Sequence, residues 1–338
     1  MKCLRPLKGY RSRTLNENKK RPIVFNPREG LLDMPVDLPC GRCIECRLQH
    51  ARQNAVRCVH EATLHDHNYF LTLTYNDYNL PSGNNISVDD VASFMKRLRR
   101  RLPNGVRSFG AAEYGEQLGR PHYHILLFNC PLLDIKPWRE IRGNPYFRSQ
   151  IVEDSWRNQD TGESMGFSSL SHVTFESAGY VARYVTKKWT HQCDVNCEIP
   201  CLNQEEFHYR WTDPRSGKVF LRDKERTVAL SKGIGKGWLE KWKHDVYPAD
   251  EIIMRGKAMK PPRYYDYLLE KWEPSLSKEV LKERKWQRKL SEERKLKKKI
   301  VEPSMISREK CAKARLDSLK RGLEKVTLEE GPKLSAVC

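Results

Sequence analysis

The stretch Arg107-Ser-Phe-Gly-Ala-Ala-Glu-Tyr-Gly-Glu-Gln-Leu-Gly-Arg-Pro-His-Tyr-His-Ile-Leu-Leu-Phe128 decides the reading of this chain. Two β-patterned runs, Arg107 to Glu113 and His122 to Phe128, flank the Gly-bearing segment from Tyr114 to Pro121, which predicts an antiparallel hairpin with a long loop. Residues two apart on a strand share a face, so His122 and His124 project together. The hairpin brings Glu113 beside them. Two neutral imidazoles and one carboxylate, with positions left for water and phosphate, suit a divalent ion such as Mg²⁺ or Mn²⁺. Glu116, in the loop, competes with Glu113 for this role and ranks below it. His-x-His alone is a weak signal, because two histidines on a strand are often packing or surface residues.

Outward from the hairpin the pattern stays mixed. Upstream, Ile44, Leu48, Ala51, Ala55, Val59 and Ala62 recur at helical spacing, and Tyr69 to Tyr75 alternates as a strand. Ser87, with Asp90 three residues on, caps a helix whose apolar face is Val91, Phe94, Met95 and Leu98. Downstream come a helix near Ile151, a strand near Ser168 and a helix from Ser177 to Trp189. The order β-α-β-β-α-β-α predicts an α+β fold: a central antiparallel sheet of split βαβ plan with helices on one face. Residues 1–65 read as an irregular arm, a Cys cluster and a helix. Residues 66–190 read as the core, 191–272 as an extension and 273–338 as a basic, helical or disordered tail.

The helix after the last core strand carries the second chemical signal. In Ala178-Gly-Tyr-Val-Ala-Arg-Tyr-Val-Thr-Lys-Lys188, Tyr180 and Tyr184 are four apart and share a helical face, with Lys187 and Lys188 about one turn further. A tyrosine-lined packing face would look the same. Its coincidence with His-x-His upstream makes chemistry the better reading.

Composition narrows the partner. Lysine and arginine number 62 against 43 acidic residues, a formal charge of +19 over 338 residues. Such an excess favours a polyanion, because each phosphate neutralised releases counterions. No apolar run reaches the roughly 18 residues of a membrane span, and the basic first residues lead into no apolar stretch as an export signal would. Cytoplasmic residence follows as the expectation.

These residues carry a resemblance. Glu113, Pro121-His-Tyr-His124 and Tyr180-Val-Ala-Arg-Tyr-Val-Thr-Lys-Lys188 resemble the second and third motifs of HUH endonucleases, and Phe70-Leu-Thr-Leu-Thr74 resembles the first. The likeness is greatest to rolling-circle replication initiators of small single-stranded DNA phages, the Microviridae and their gokushovirus group. Those also carry an early cysteine and Cys-Gly-x-Cys-x-x-Cys, here Cys3 and Cys40-Gly-Arg-Cys-Ile-Glu-Cys46. The likeness runs from residue 3 to about 240. It implies an RRM-like core, a cation on Glu113, His122 and His124, and attack by a tyrosine on origin DNA to leave a 5′-phosphotyrosyl enzyme. Lys187 and Lys188 would neutralise phosphate, and Arg120 and Arg183 would contact DNA. The Tyr-x-x-Lys spacing of single-tyrosine relatives favours Tyr184 for the first attack. The implied setting is the cytoplasm of a bacterial host, with a host helicase and replication proteins as further partners. Competing readings are a plasmid initiator, relaxase or transposase with the same chemistry, and a non-enzymatic single-strand binder on the same scaffold. An iron oxygenase using His, His and Glu fits poorly, since such sites usually sit in all-β barrels.

Eleven cysteines in a chain without an export pattern point to thiols and metal. Cys40, Cys43 and Cys46 with Cys3 have the spacing of a structural zinc site, with Cys58, His50 and His60 as substitutes and iron–sulfur ligation as the lesser alternative. Cys193, Cys197 and Cys201 match no metal signature. Gly233-Ile-Gly-Lys-Gly237 lacks the full phosphate-loop pattern; it is either a phosphate-contacting helix start or a plain turn.

Overall fold

The computed structural model of the chain describes residues 3–17, 19–103, 105–115, 118–141, 143–187, 208–213, 216–223, 225–247, 249–297 and 303–320. For residues 184–187, 208–210, 295–296 and 316–320 only the backbone is described. Lys188, Glu116 and the cysteines at 193, 197 and 201 lie outside the described residues. The chain forms two compact units, residues 1–50 with 301–325, and residues 51–300. The sequence-based boundaries after residues 65, 190 and 272 all fall inside the second unit.

Residues 1–39, expected to be irregular, carry an antiparallel three-stranded sheet of β1 (Leu7–Ser12), β2 (Ile23–Val24) and β3 (Gly30–Leu38), in the order β2-β1-β3. The strands are mostly exposed on both faces, so the alternation that reveals a half-buried strand is missing. Helix α1 (Ile44–Ala62) starts in this unit.

The second unit is built on a seven-stranded antiparallel sheet. Its elements are β4 (Tyr69–Tyr75), α2 (Val88–Arg101), β5 (Arg107–Tyr114), β6 (Pro121–Phe128), β7 (Lys136–Ile141), β8 (Asn144–Arg148), α3 (Gln150–Ser155), β9 (Gly166–His172) and α4 (Phe175–Lys187). Then come β10 (His208–Thr212), β11 (Val219–Asp223), β12 (Arg226–Val228), α5 (Lys236–Val246), β13 (Ile252–Met254), β14 (Lys257–Met259), α6 (Arg263–Trp272) and α7 (Pro274–Lys297). The sheet order is β12-β5-β6-β4-β9-β8-β7. Hairpin β7–β8 was not foreseen. Its strands, Lys-Pro-Trp-Arg-Glu-Ile and Asn-Pro-Tyr-Phe-Arg, present charges on an exposed sheet edge and show no apolar period.

One sheet face buries Leu71, Leu73, Tyr123, Ile125 and Leu127 under Val91, Phe94, Met95 and Leu98 of α2 and Val152 of α3. The Ser87 side chain caps α2 by accepting from the Asp90 N–H at 3.2 Å. On the same face Tyr75 and Tyr123 share a hydrogen bond of 2.8 Å, and Tyr75 donates to Asp90 at 2.7 Å. Helix α4 lies on the opposite face, against β5, β6 and β12. The expected one-sided plan is therefore corrected. Both faces of β5 and β6 are apolar enough to be covered, as Ala111, Leu126 and Phe128 are buried on the second face.

A second cluster gathers Val56 of α1, Leu239 and Val246 of α5, Tyr265 and Leu269 of α6 and Val280 of α7. The basic segment expected as a tail is thus docked at its start, and Arg284 bonds both Asp250 and Asp266 at 2.8 Å. The Gly233–Gly237 loop is likewise settled by packing. Gly235 caps α5 with φ +78°, and its N–H donates to the buried Glu61 carboxylate at 2.7 Å, where a phosphate would sit. Arg107 Nε lies 2.9 Å from the other Glu61 oxygen. No described helix is long and apolar enough to cross a membrane.

His60 of α1 stacks on Trp238 at 3.5 Å and shares a 2.9 Å hydrogen bond with the Tyr265 hydroxyl. Burial holds its imidazole down at about 4, so it folds neutral. The unfolded chain, with an imidazole near 6.5, takes up the proton first as pH falls. Stability is therefore full above that value and declines toward pH 4. Between pH 7 and pH 5 the wild type should lose about 2 kcal/mol more than His60→Gln in urea unfolding. Equal losses would remove His60 as the acid-sensitive group.

Candidate metal centre and tyrosine helix

The site grows from strand register. Glu113 on β5 stands opposite His122 on β6, and His122 and His124 stand opposite Thr74 and Thr72 on β4. Side chains in register share a face, so these residues form two short rows on the side that α4 covers. Their polar atoms meet at one point. His122 Nε2 lies 2.9 Å and His124 Nε2 2.7 Å from Glu113 Oε1. The Tyr180 hydroxyl donates to that same oxygen at 2.9 Å.

Tyr180 gets there because β9 runs straight into α4. Thr174 and Ser177 close the first turn reciprocally, the Ser177 N–H donating to Thr174 Oγ1 at 3.1 Å and the Thr174 N–H to Ser177 Oγ at 2.8 Å. Ala178, Val181 and Ala182 are fully buried and press the helix on the sheet. Tyr180 is 2% exposed and meets the rings of Phe70 and His124 edge-on. Arg183 lies 5.8 Å from the centre of the Tyr180 ring.

The electrostatics follow from crowding. Burial alone would raise the Glu113 carboxyl, but attraction from His124 and the hydrogen bonds of both imidazoles outweigh it and hold the group well below the usual carboxylate range. Burial would lower His122; its bond to Glu113, that carboxylate's charge and the Arg120 carbonyl win and raise it. The His124 side chain is fully buried, while that of His122 keeps 16% exposure and marks the open side of the site.

The donor set fits a divalent cation. The ligand atoms of Glu113, His122 and His124 lie within 4.8 Å of one another. Glu113 Oε2 is buried with no hydrogen-bond partner among the described residues. Each imidazole is held by its other nitrogen: His122 Nδ1 bonds the Arg120 carbonyl at 3.1 Å, and His124 Nδ1 bonds Thr72 Oγ1 at 3.0 Å. With Nδ1–H donating, both Nε2 lone pairs face the common point.

Of the residues singled out in the sequence, the structure unites Glu113, His122, His124 and Tyr180. Tyr184 and Lys187 follow on the α4 backbone. The Arg120 guanidinium pairs with Asp77 and donates to the Tyr75 carbonyl at 3.0 Å, so this residue braces the loop before His122. Thr72 and Phe70, the latter stacked on His124 at 5.4 Å, were not foreseen as site residues. Their signal lay in the strand Phe70-Leu-Thr-Leu-Thr74, whose register with β6 only the fold supplies. Glu225, before β12, was also missed; its charge helps raise His122.

Comparison with known proteins places this geometry in a lineage. Residues 68–189 match the family model of the replication-associated protein ORF2, a segment holding the triad and both tyrosines. The chain is 30% identical over 278 residues to replication-associated protein VP4 of Bdellovibrio phage phiMH2K, covering 78% of this chain and 76% of that protein. It is 29% identical over 310 residues to replication-associated protein ORF2 of Spiroplasma virus 4, covering 84% and 86%. Replication-associated protein ORF4 of Chlamydia phage 1 is 28% identical over 249 residues, covering 69% and 54%. No solved structure matches the chain.

Thr72 is expected to act on the ion through His124. Titration with Mn²⁺, followed by the loss of its free-ion EPR signal, should weaken about tenfold to a hundredfold in Thr72→Val. Unchanged affinity would strip Thr72 of this role.

Proposed function

This chain belongs to the phage replication-associated proteins, and on that premise we propose that it initiates rolling-circle replication by nicking single-stranded DNA with a tyrosine. The observation that carries the reading is the meeting of Tyr180, His122 and His124 on one oxygen of Glu113. The scaffold we infer is the split βαβ core of HUH endonucleases. The ion we assign to the triad is Mg²⁺ or Mn²⁺; when bound it stabilises the charge that builds on a phosphate under attack.

The protein's own residues do the rest. Tyr180 Oη bonds to phosphorus and the P–O3′ bond breaks, leaving a 3′-hydroxyl and a 5′-phosphotyrosyl link. One phosphodiester is exchanged for another, so rejoining needs no ATP. The Tyr-x-x-Lys spacing favours Tyr184 for the first attack, whereas the bond to Glu113 favours Tyr180, and we assign the first attack to Tyr180. Tyr184, one turn on, then serves the second exchange that releases a closed circle. Lys187 and Lys188 neutralise the strand.

Substrate would reach the site over the sheet. Phe167 on β9 stands opposite Thr74, which stands opposite His122, so an aromatic ring that is 50% exposed lies two strands from the triad. Beyond it, Phe147 of β8 pairs with Leu170, which turns Tyr146 and Arg148 to the same face as Phe167. At the sheet edge Trp138 lies between the guanidinium groups of Arg139 and Arg148, at 4.0 and 4.2 Å. Exposed rings among cations suit unpaired bases and their phosphates.

The test is a gel assay with labelled single-stranded oligonucleotides spanning the protein's own genome, with Mn²⁺ or with EDTA. The wild type should give a metal-dependent shortened strand and a covalent band. Tyr180→Phe should slow the first nick roughly a thousandfold while Tyr184→Phe keeps it. The reverse pattern would exchange their roles; folded protein that binds but never cuts would make it a binding module. On the same oligonucleotides Phe167→Ala should weaken binding about tenfold, the loss of one stacked base, with an unchanged salt slope. Unchanged affinity would move the strand elsewhere.

A further inference from the structure

We propose that Cys3, Cys40, Cys43 and Cys46 hold one structural zinc ion that fastens the N-terminal unit together. The four Sγ atoms lie within 4.8 Å of one another, and those of Cys3 and Cys43 are 3.9 Å apart. A zinc ion bound tetrahedrally to four thiolates at about 2.3 Å needs sulfurs about 3.8 Å apart. A disulfide would draw two of them to about 2.05 Å. An iron–sulfur cluster would spread all four, since iron and sulfide stand between the thiolates. The spacing is that of a single ion.

Backbone donors are already aimed at the sulfurs. The Leu4 N–H points at Cys43 Sγ (3.5 Å), that of Cys40 at Cys3 Sγ (3.3 Å) and that of Cys43 at Cys40 Sγ (3.3 Å). Such N–H groups offset thiolate charge around a metal and fix the direction of each ligand. Gly41, at φ +73°, supplies the left-handed residue that folds Cys40 and Cys43 toward the same point.

The unit needs such a fastening. Among its described residues the buried apolar side chains are Leu4, Cys46 and Ala312, far too few for a hydrophobic core to order three strands and two helical segments. Small units of this kind rely on metals or cross-links. One ion here would join residue 3 to the loop before α1 and to its first turn. Helix α8 (Met305–Lys320) reaches the same place, Arg308 donating to the Cys3 carbonyl at 3.4 Å and Arg315 pairing with Glu45 at 3.4 Å. Four protein thiolates leave no open position, so the ion is structural and takes no part in cleavage.

The full-length protein, purified under reducing conditions and dialysed, should contain about one zinc per chain by elemental analysis. Titration with an organomercurial should release it to a colorimetric chelator. Cobalt-loaded protein should show the thiolate charge-transfer and d–d bands of a tetrahedral sulfur site. His122→Ala, which breaks the other metal centre, should keep both zinc and spectrum, as should Cys58→Ser, whose buried thiol lies outside the cluster. Cys3→Ser and Cys43→Ser should lose them. Wild-type protein that carries no zinc and yields no such spectrum would overturn the proposal, even if the cysteine variants fail to fold. So would disulfides among these cysteines, iron with acid-labile sulfide, or zinc lost with His122→Ala and kept in both serine variants.

Discussion

Everything at the centre of this molecule answers to one buried oxygen, Glu113 Oε1, on which two imidazoles and a phenol converge. A carboxylate moved out of water loses several kcal/mol of hydration, and it stays ionised only where donors or a cation replace that water. Three elements supply the replacement. Strand β5 carries the acid, β6 brings both imidazoles in register, and α4 lowers Tyr180 from above. Shift any one by a residue and the set disperses, because a one-residue slip turns a strand's side chains to the other face. The apolar packing of α2 under the sheet and of α4 over it is what holds that register.

The same logic explains which parts of the fold were legible in sequence. The β5–β6 hairpin and the triad could be read because His122 and His124 obey the two-residue period of a strand and Glu113 flanks the loop. Helix α2 announced itself through Ser87 and its apolar spacing. Tyr180 and Tyr184 could be placed on one helix face by their four-residue interval. Each signal is local. Thr72 could not be read as the partner of His124, because a threonine in a strand carries no mark until its register with β6 is known. Glu61 at the start of α5 was hidden for a similar reason: it lies 174 residues from the Gly235 amide it caps.

The unforeseen strands share a different cause. In β1, β3, β7 and β8 charged and prolyl residues occupy an exposed surface, so burial imposes no alternation and the periodicity that betrays a strand is absent. That polarity fits what these regions would do. The β7–β8 edge sets Trp138 between two guanidinium groups on the route to the triad, and the N-terminal strands would depend on four thiolates in place of a core. Hydrophobic pattern locates the packed centre of this protein, and charge and cysteine locate its working periphery.

The most direct test of the account is to find which atom of the protein carries the DNA. The covalent product formed with Mn²⁺ would be digested with protease and nuclease, and the nucleotide-bearing peptide sequenced by tandem mass spectrometry. The account predicts a 5′-phosphate on the Tyr180 oxygen in the first round of cleavage. A first-round phosphate on any other residue would contradict it.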